Sequence, residues 1–193
     1  MITVTYRAAH KDDAPHLVDF VSMAGEGLPE LAWADMVEPG ESLRDVGLRR
    51  AASERGSFSY KNATVFEMAG HVAGGLVGYR LPSEPVEIGP DFPPEFVPLQ
   101  ELENLAPGAW YVNILATLPA FRGKGVGTAM LAQAERIAED CGADSISIIV
   151  FSSNPGAERL YRRTGYREVA RRKMEVPGWA HSRCEAILLI KPI

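Results

Sequence analysis

The chain has 193 residues, with 20 Lys and Arg against 25 Asp and Glu, a net charge of −5, 46% hydrophobic residues and 23% charged ones. This balance excludes disordered, collagen-like and membrane-protein compositions, and it predicts a single domain over residues 1–193 that can bury its own core. Cys141 and Cys184 have no Cys or His beside them at metal-ligand spacing, so no zinc site or disulfide scaffold is expected and a reducing, cytoplasmic setting fits.

Met1 to Arg7 alternates apolar and polar residues (Ile2, Val4, Tyr6), which predicts a strand and not a signal-peptide core. Asp12-Asp13 leads into a helix with Pro15 in its first turn. Residues 22–57 carry Leu28, Leu31, Trp33, Met36, Leu43, Val46 and Leu48, interrupted by Pro29 and Pro39-Gly40, which predicts two short helices split by a turn. Thr64 to Met68 and Val72 to Tyr79 form a predicted hairpin around Ala69-Gly70-His71, with Gly74, Gly75 and Gly78 weakening its second strand.

Between Arg80 and Arg122 there is no Lys or Arg, while Glu84, Glu87, Asp91, Glu95, Glu101 and Glu103 give the stretch a charge of −6. Pro82, Pro85, Pro90, Pro93, Pro94 and Pro98 forbid a regular helix or central strand over 82–98 and predict an ordered or semi-ordered surface loop, an acidic Pro-rich insertion at about 82–108. Trp110 to Thr117 returns to strand chemistry. Val126, Met130, Ala134, Ile137 and Cys141 then make a helical stripe that Gly142 ends. Ser145 to Phe151 is an apolar strand, and Asn154-Pro155 starts a helix with Ala157, Leu160, Tyr161 and Thr164 on one face and Gly165 past its end. Tyr166 to Val176 and Glu185 to Ile190 supply two last strands. The apolar runs Ile146 to Phe151 and Ala186 to Ile190 are far too short to span a membrane. The fold class is therefore α/β (α+β), a mixed sheet covered by helices.

Arg122-Gly123-Lys124-Gly125-Val126-Gly127-Thr128 sits between a strand and the helix that Val126 opens. Glycines let backbone N–H groups close around an anion, and the helix N-terminus adds about half a positive charge, so a phosphate or pyrophosphate is the natural ligand. Lys124 is followed by Gly125, which excludes a Walker A loop. A dinucleotide fingerprint starting at Gly123 ends on Thr128, and one starting at Gly125 ends on Met130.

The second block, Asn154-Pro155-Gly156-Ala157-Glu158-Arg159-Leu160-Tyr161-Arg162-Arg163-Thr164-Gly165-Tyr166, follows the next strand. Together the two blocks resemble the GNAT family of N-acetyltransferases, whose acetyl-CoA motif is Arg/Gln-x-x-Gly-x-Gly/Ala and whose next motif is Asn-x-x-Ala-x-x-Leu-Tyr-x-x-x-Gly-Phe. Arg122, Gly125 and Gly127 fill the first, and Asn154, Ala157, Leu160, Tyr161 and Gly165 fill the second. Tyr166 replaces the usual Phe and Thr117 the usual Val.

The resemblance implies a sheet of about six or seven strands with two parallel strands splayed at the acetyl-CoA site. It implies that N–H groups from Arg122 to Thr128 cradle the CoA pyrophosphate, with Arg122 and Lys124 adding charge. Leu115, Ala116 and Thr117 would pair with pantetheine through their main chain, a backbone N–H near Leu115 would hold the thioester oxygen, and Asn154 would bond pantetheine besides capping its helix. Tyr161, by default a core aromatic, becomes the acid that protonates the departing thiolate.

The general base is left open among Glu26, Glu30, Glu67, Glu103 and His181, since no spacing singles one out. The acceptor amine is likewise open, with Leu28 to Trp33 and the proline-rich loop as its expected walls. The acidic stretch would steer a cationic acceptor toward a cleft it bordered. Residues 151–175 carry a net charge of +4, which fits a solvated face better than a nucleic-acid surface or a contact with the CoA 3′-phosphate. No metal, nucleic acid or membrane partner is expected, and the oligomeric state is open, a homodimer being the commonest soluble assembly. The rival class is an acyl-CoA-binding sensor of the same fold without turnover.

Overall fold

The computed structural model describes residues 3–193. Ile2, part of the predicted first strand, lies outside the described residues. The strands β1 (Val4–Ala8), β2 (Ala63–Met68), β3 (His71–Arg80), β4 (Trp110–Thr117), β5 (Ser145–Phe151), β6 (Arg167–Lys173) and β7 (Glu185–Pro192) form a seven-stranded mixed sheet in the order β1-β2-β3-β4-β5-β7-β6. Among the described residues six α-helices accompany it: α1 (Ala14–Ala24), α2 (Leu28–Ala34), α3 (Leu43–Ala51), α4 (Val97–Glu103), α5 (Val126–Asp140) and α6 (Pro155–Arg163). The chain divides into two compact units, one running to Gly78 and including Ile114–Met130, the other made of Tyr79–Asn113 and Leu131–Ile193.

In the first unit β1 and β2 pair antiparallel from Val4↔Met68 to Ala8↔Thr64. The β2–β3 turn puts Ala69 and Gly70 at φ +53° and +78°, the left-handed pair that a tight two-residue hairpin requires. Leu17, Val18 and Phe20 of α1 join Val46, Val65 and Val77 in the core. Trp33 of α2 stacks on Phe58 at 6.0 Å between ring centroids. The chain is anchored near its start by Arg7, whose guanidinium forks onto Asp13 at 2.7 and 2.9 Å and reaches Glu67 at 2.9 Å.

β3 forms over His71–Arg80 despite the glycines that the sequence reads as weakening it, and two of them, Gly74 and Gly75, stand where a side chain has no room. A Cβ at Gly74 would stand 2.5 Å from the Ala116 carbonyl oxygen, and one at Gly75 would collide with the Phe20 ring. Close approach of backbone and of a core aromatic decides these two positions.

In the second unit β4 and β5 pair in parallel from Trp110↔Ile146 to Val112↔Ile148, and β7 lies antiparallel to both β5 and β6. Ile146, Ile148 and Val150 are buried, as are Ile187, Leu188 and Leu189. Arg80 donates to the carbonyls of Gly108, Cys141 and Gly142 at 3.2, 2.9 and 3.2 Å, so a cation satisfies the chain just beyond the end of α5.

The acidic Pro-rich segment departs from its predicted form at one end. A helical turn at Pro94–Phe96 runs into α4, which begins at Val97 within the span the prolines were expected to keep irregular. Pro98 stands in the first turn of α4, where a missing N–H costs no helix bond. Leu102 is fully buried and fixes α4 to the core. The loop before it is ordered: Val86 N–H donates to Asn104 Oδ1 and Asn104 Nδ2 donates back to the Val86 carbonyl, both at 2.9 Å.

Candidate active site

The first unit carries the anion loop. β4 ends at Thr117, one tight turn spans Pro119–Phe121, and α5 begins at Val126. Gly123 and Gly125 hold φ values of +72° and +86°, which side-chain-bearing residues rarely adopt. A Cβ at either position would meet nothing within 4 Å, so the space over the loop is open. The Ala129 N–H donates to the Gly125 carbonyl at 3.0 Å and closes the first turn. The amides of Val126, Gly127 and Thr128, in that first turn, have no acceptor inside the helix.

Val126 is 1% exposed and anchors the turn to the core, while Gly123, Lys124, Gly125 and Thr128 are exposed. Arg122 is also exposed and donates from Nε to the Thr117 carbonyl at 3.3 Å, and Lys124 Nζ lies 5.5 Å from the Phe121 ring centroid. Backbone donors, two cations and a surface free of Cβ atoms together fit a phosphate group. Along β4, Ile114 and Ala116 are buried while Leu115 and Thr117 are half-buried. The Leu118 N–H is already engaged, by the Ala73 carbonyl at 2.9 Å.

The second unit carries the other motif. Asn154 Oδ1 accepts from the Ala157 N–H at 3.1 Å, the N-cap its sequence context predicts, with Pro155 first in the helix. Tyr161 is 5% exposed on the inner face of α6, and burial alone pushes its phenol well above the ordinary tyrosine range. Its ring lies 6.1 Å from that of Tyr166. Tyr166 is fully buried and its hydroxyl has no hydrogen-bond partner, a buried polar atom that the family's usual Phe does not carry. Burial pushes its phenol up as well, helped by Glu135 and Tyr161.

Among the five base candidates, Glu30 has one buried carboxylate oxygen without a hydrogen-bond partner, and Glu103 stands out by its desolvation. It is half-buried at the end of α4, and desolvation pushes its carboxyl up to about 7. Tyr111 on β4 lies within electrostatic reach of Glu103, Tyr79 and Tyr161, and it contacts Tyr79 edge-on at 5.7 Å. Glu67 is paired with Arg7, Glu30 accepts from Ser22 Oγ, Glu26 holds φ +51° between α1 and α2, and the His181 ring lies 5.6 Å from Trp179.

Much of the basic run after Phe151 is neutralised locally, by Arg162 with Glu158 and Glu168, Arg171 with Glu168 and Glu185, and Arg172 with Glu101. These ion pairs agree with a solvated face. Among the described residues no helix is long and apolar enough to cross a membrane, and no group of three or more His, Cys, Asp or Glu could hold a metal ion.

Comparison with curated proteins finds no match. Solved structures do resemble the chain. One described as an acetyltransferase superposes with a TM-score of 0.66 at 21% identity, covering 98% of this chain and 99% of its own. An N-acetyltransferase from Staphylococcus aureus Mu50 gives 0.61 at 18% identity, covering 96% and 99%. A protein assigned as a streptothricin acetyltransferase from Bacillus anthracis str. Ames, solved in complex with acetyl coenzyme A, gives 0.50 at 15% identity, covering 68% and 61%. At these identities the likeness concerns the fold. The model of the acetyltransferase (GNAT) family matches residues 28–166, which contain both motifs and most of the sheet, and the chain belongs to that family.

Proposed function

We propose that the chain is an acetyl-CoA-dependent N-acetyltransferase that acylates a primary amine by direct transfer, without a covalent acyl-enzyme. The observation that carries this reading is the strand–turn–helix at Thr117 to Thr128, where two left-handed glycines leave an open, cationic, N–H-rich surface. When bound, acetyl-CoA supplies an activated acetyl thioester.

In this reading the Gly123, Gly125, Val126, Gly127 and Thr128 amides hold the pyrophosphate, with Arg122 and Lys124 adding charge. Leu115, Ala116 and Thr117 bind pantetheine through their main chain, and Asn154 adds a polar contact. A backbone N–H near Leu115 stabilises the developing oxyanion, an effect worth a few kcal/mol. The buried phenol of Tyr161 stays protonated at neutral pH, as an acid must, and gives its proton to the departing thiolate. Residues 1–193 act as one cytoplasmic N-acetyltransferase domain in which 82–108 is an insertion containing α4. Leu28 to Trp33 and the proline-rich loop wall the acceptor, and the acidic stretch steers a cationic one.

Thiol release from acetyl-CoA is the test, with an acceptor panel of a lysine peptide, a peptide N-terminus, a polyamine, an amino acid and an aminated antibiotic. Turnover by at least one amine, with Tyr161→Phe losing about 100-fold in kcat at unchanged acetyl-CoA affinity, is the expected result. Binding of acetyl-CoA with no thiol release from any amine would make the chain a binding module instead.

A further inference from the structure

We propose that Arg122 is a latch that couples the anion loop to the free edge of β4: its guanidinium covers the Thr117 carbonyl until a bound phosphate draws it away. The inference rests on the transferase reading, in which β4 binds pantetheine through its main chain, and it gives Arg122 a positioning role besides its charge.

The direction of the Thr117 peptide groups follows from their neighbours, all within one unit. The Leu118 N–H donates to the Ala73 carbonyl of β3 at 2.9 Å, and in a trans peptide the C=O of one residue points opposite to the N–H of the next. The Thr117 carbonyl therefore points away from β3. The Ala116 carbonyl lies over Gly74 of β3, so by the same rule the Thr117 N–H points away from β3 as well. β4 pairs with β5 only from Trp110↔Ile146 to Val112↔Ile148, although β4 continues to Thr117. Thr117 thus offers one donor and one acceptor on an edge where the β5 pairing has already ended, which is what an extended ligand amide needs.

Arg122 sits on that acceptor. Its Nε donates to the Thr117 carbonyl at 3.3 Å. The turn between them holds it there: the Phe121 N–H donates to the Leu118 carbonyl at 2.9 Å and the Arg122 N–H to the Pro119 carbonyl at 3.3 Å. With its amide engaged in the turn, Arg122 meets an anion through its side chain. That side chain is exposed and makes this one hydrogen bond among the described residues, so it costs little to move. Arg122 directly precedes Gly123, and rotation about its side-chain bonds carries the guanidinium from the strand edge to the open space over the loop. A phosphate there accepts a bond between two charged groups, stronger than the bond to a neutral carbonyl, so the exchange is downhill. Lys124 differs, because its Nζ lies over the Phe121 ring and supplies charge alone. The result is positive coupling between the two halves of the ligand. Phosphate uncovers the strand edge for the pantetheine amide, and an amide on that edge frees Arg122 for the phosphate, by the same factor.

The test splits the ligand into S-acetylpantetheine, which has no phosphate, and inorganic pyrophosphate, with binding read by NMR on wild type, Arg122→Met and Lys124→Met. Saturating pyrophosphate should tighten S-acetylpantetheine binding to wild type about 5-fold, the worth of one modest hydrogen bond. Arg122→Met should bind S-acetylpantetheine about 5-fold more tightly than wild type without pyrophosphate, gain nothing from its addition, and bind acetyl-CoA more weakly. Lys124→Met should also weaken acetyl-CoA, but keep the wild-type affinity for S-acetylpantetheine and its response to saturating pyrophosphate. In the free protein the Thr117 ¹³C carbonyl signal should shift in Arg122→Met, and shift the same way when pyrophosphate is added to wild type. Equal or weaker S-acetylpantetheine binding in Arg122→Met, or binding to wild type that pyrophosphate leaves unchanged, overturns the latch. Failure of wild type to bind acetyl-CoA would count against the transferase reading, and the Thr117 carbonyl signal would then decide the latch by itself.

Discussion

Burying a hydroxyl without a partner costs about 1–3 kcal/mol, and Tyr166 is such a case: fully buried, with nothing bonded to its oxygen. Tyr166→Phe should therefore stabilise the protein by about 1 kcal/mol in urea unfolding, and a loss of stability would show that the hydroxyl has a partner in solution. Glu103 behaves differently because its charge can be shed. Its carboxyl titrates near 7 when folded and in the ordinary range when unfolded, so between those values the folded state holds the extra proton. Wild-type stability should fall as pH rises from about 4.5 to 7 and then level off. Glu103→Gln, neutral throughout, should match wild type at pH 4.5 and exceed it by about 2 kcal/mol at pH 8. Parallel pH–stability curves for the two proteins would contradict this. The motif residues were legible in the sequence because local backbone geometry demands them: glycine at positive φ in the loop, Asn-Pro at a helix start. Glu103 was one of five equal candidates, since what sets it apart is its desolvation beside Pro82, Pro85 and Pro107 of the proline-rich loop, a tertiary property that no spacing encodes.

At the level of elements, helices and strands that announce themselves by periodicity matched closely: β4 at Trp110–Thr117 and β5 at Ser145–Phe151 fall where their apolar patterns place them. α4 was hidden because proline reads as a breaker everywhere except in a first turn, where Pro98 stands. β3 was undervalued because glycine reads as flexibility when its neighbours cannot be seen. Gly74 and Gly75 face a carbonyl and a core ring, so each is fixed by what sits over it. Gly74→Ala should destabilise by at least about 2 kcal/mol, more than the roughly 0–1 kcal/mol expected of an open strand glycine, because the new methyl meets backbone that cannot rotate away. Gly70→Ala in the hairpin turn, where a Cβ has free space, is the comparison: its cost comes from φ +78° alone. Equal losses at the two sites in thermal unfolding would refute the close-approach argument.

For the whole molecule, the sequence predicted a mixed sheet, to which the family resemblance gave about six or seven strands; the sheet has seven, and their order β1-β2-β3-β4-β5-β7-β6 was not predicted. The division into two compact units was not foreseeable, because it runs through β3, β4 and α5, elements whose sequences show no break. The central claim is that the loop from Arg122 to Thr128 binds the phosphates of an acyl-CoA. The measurement that tests it most directly is a thermal-shift titration with acetyl-CoA, CoA and NAD on wild type, Gly125→Ala and Gly125→Glu. Both variants bear the same strain at φ +86°, and only the second places a carboxylate in the anion's space. Acetyl-CoA and CoA at about 100 times Kd should stabilise wild type by roughly 2.7 kcal/mol, NAD should not, and Gly125→Glu should lose the response that Gly125→Ala retains at least in part. No shift with either CoA compound, or an undiminished shift in Gly125→Glu, would contradict the account.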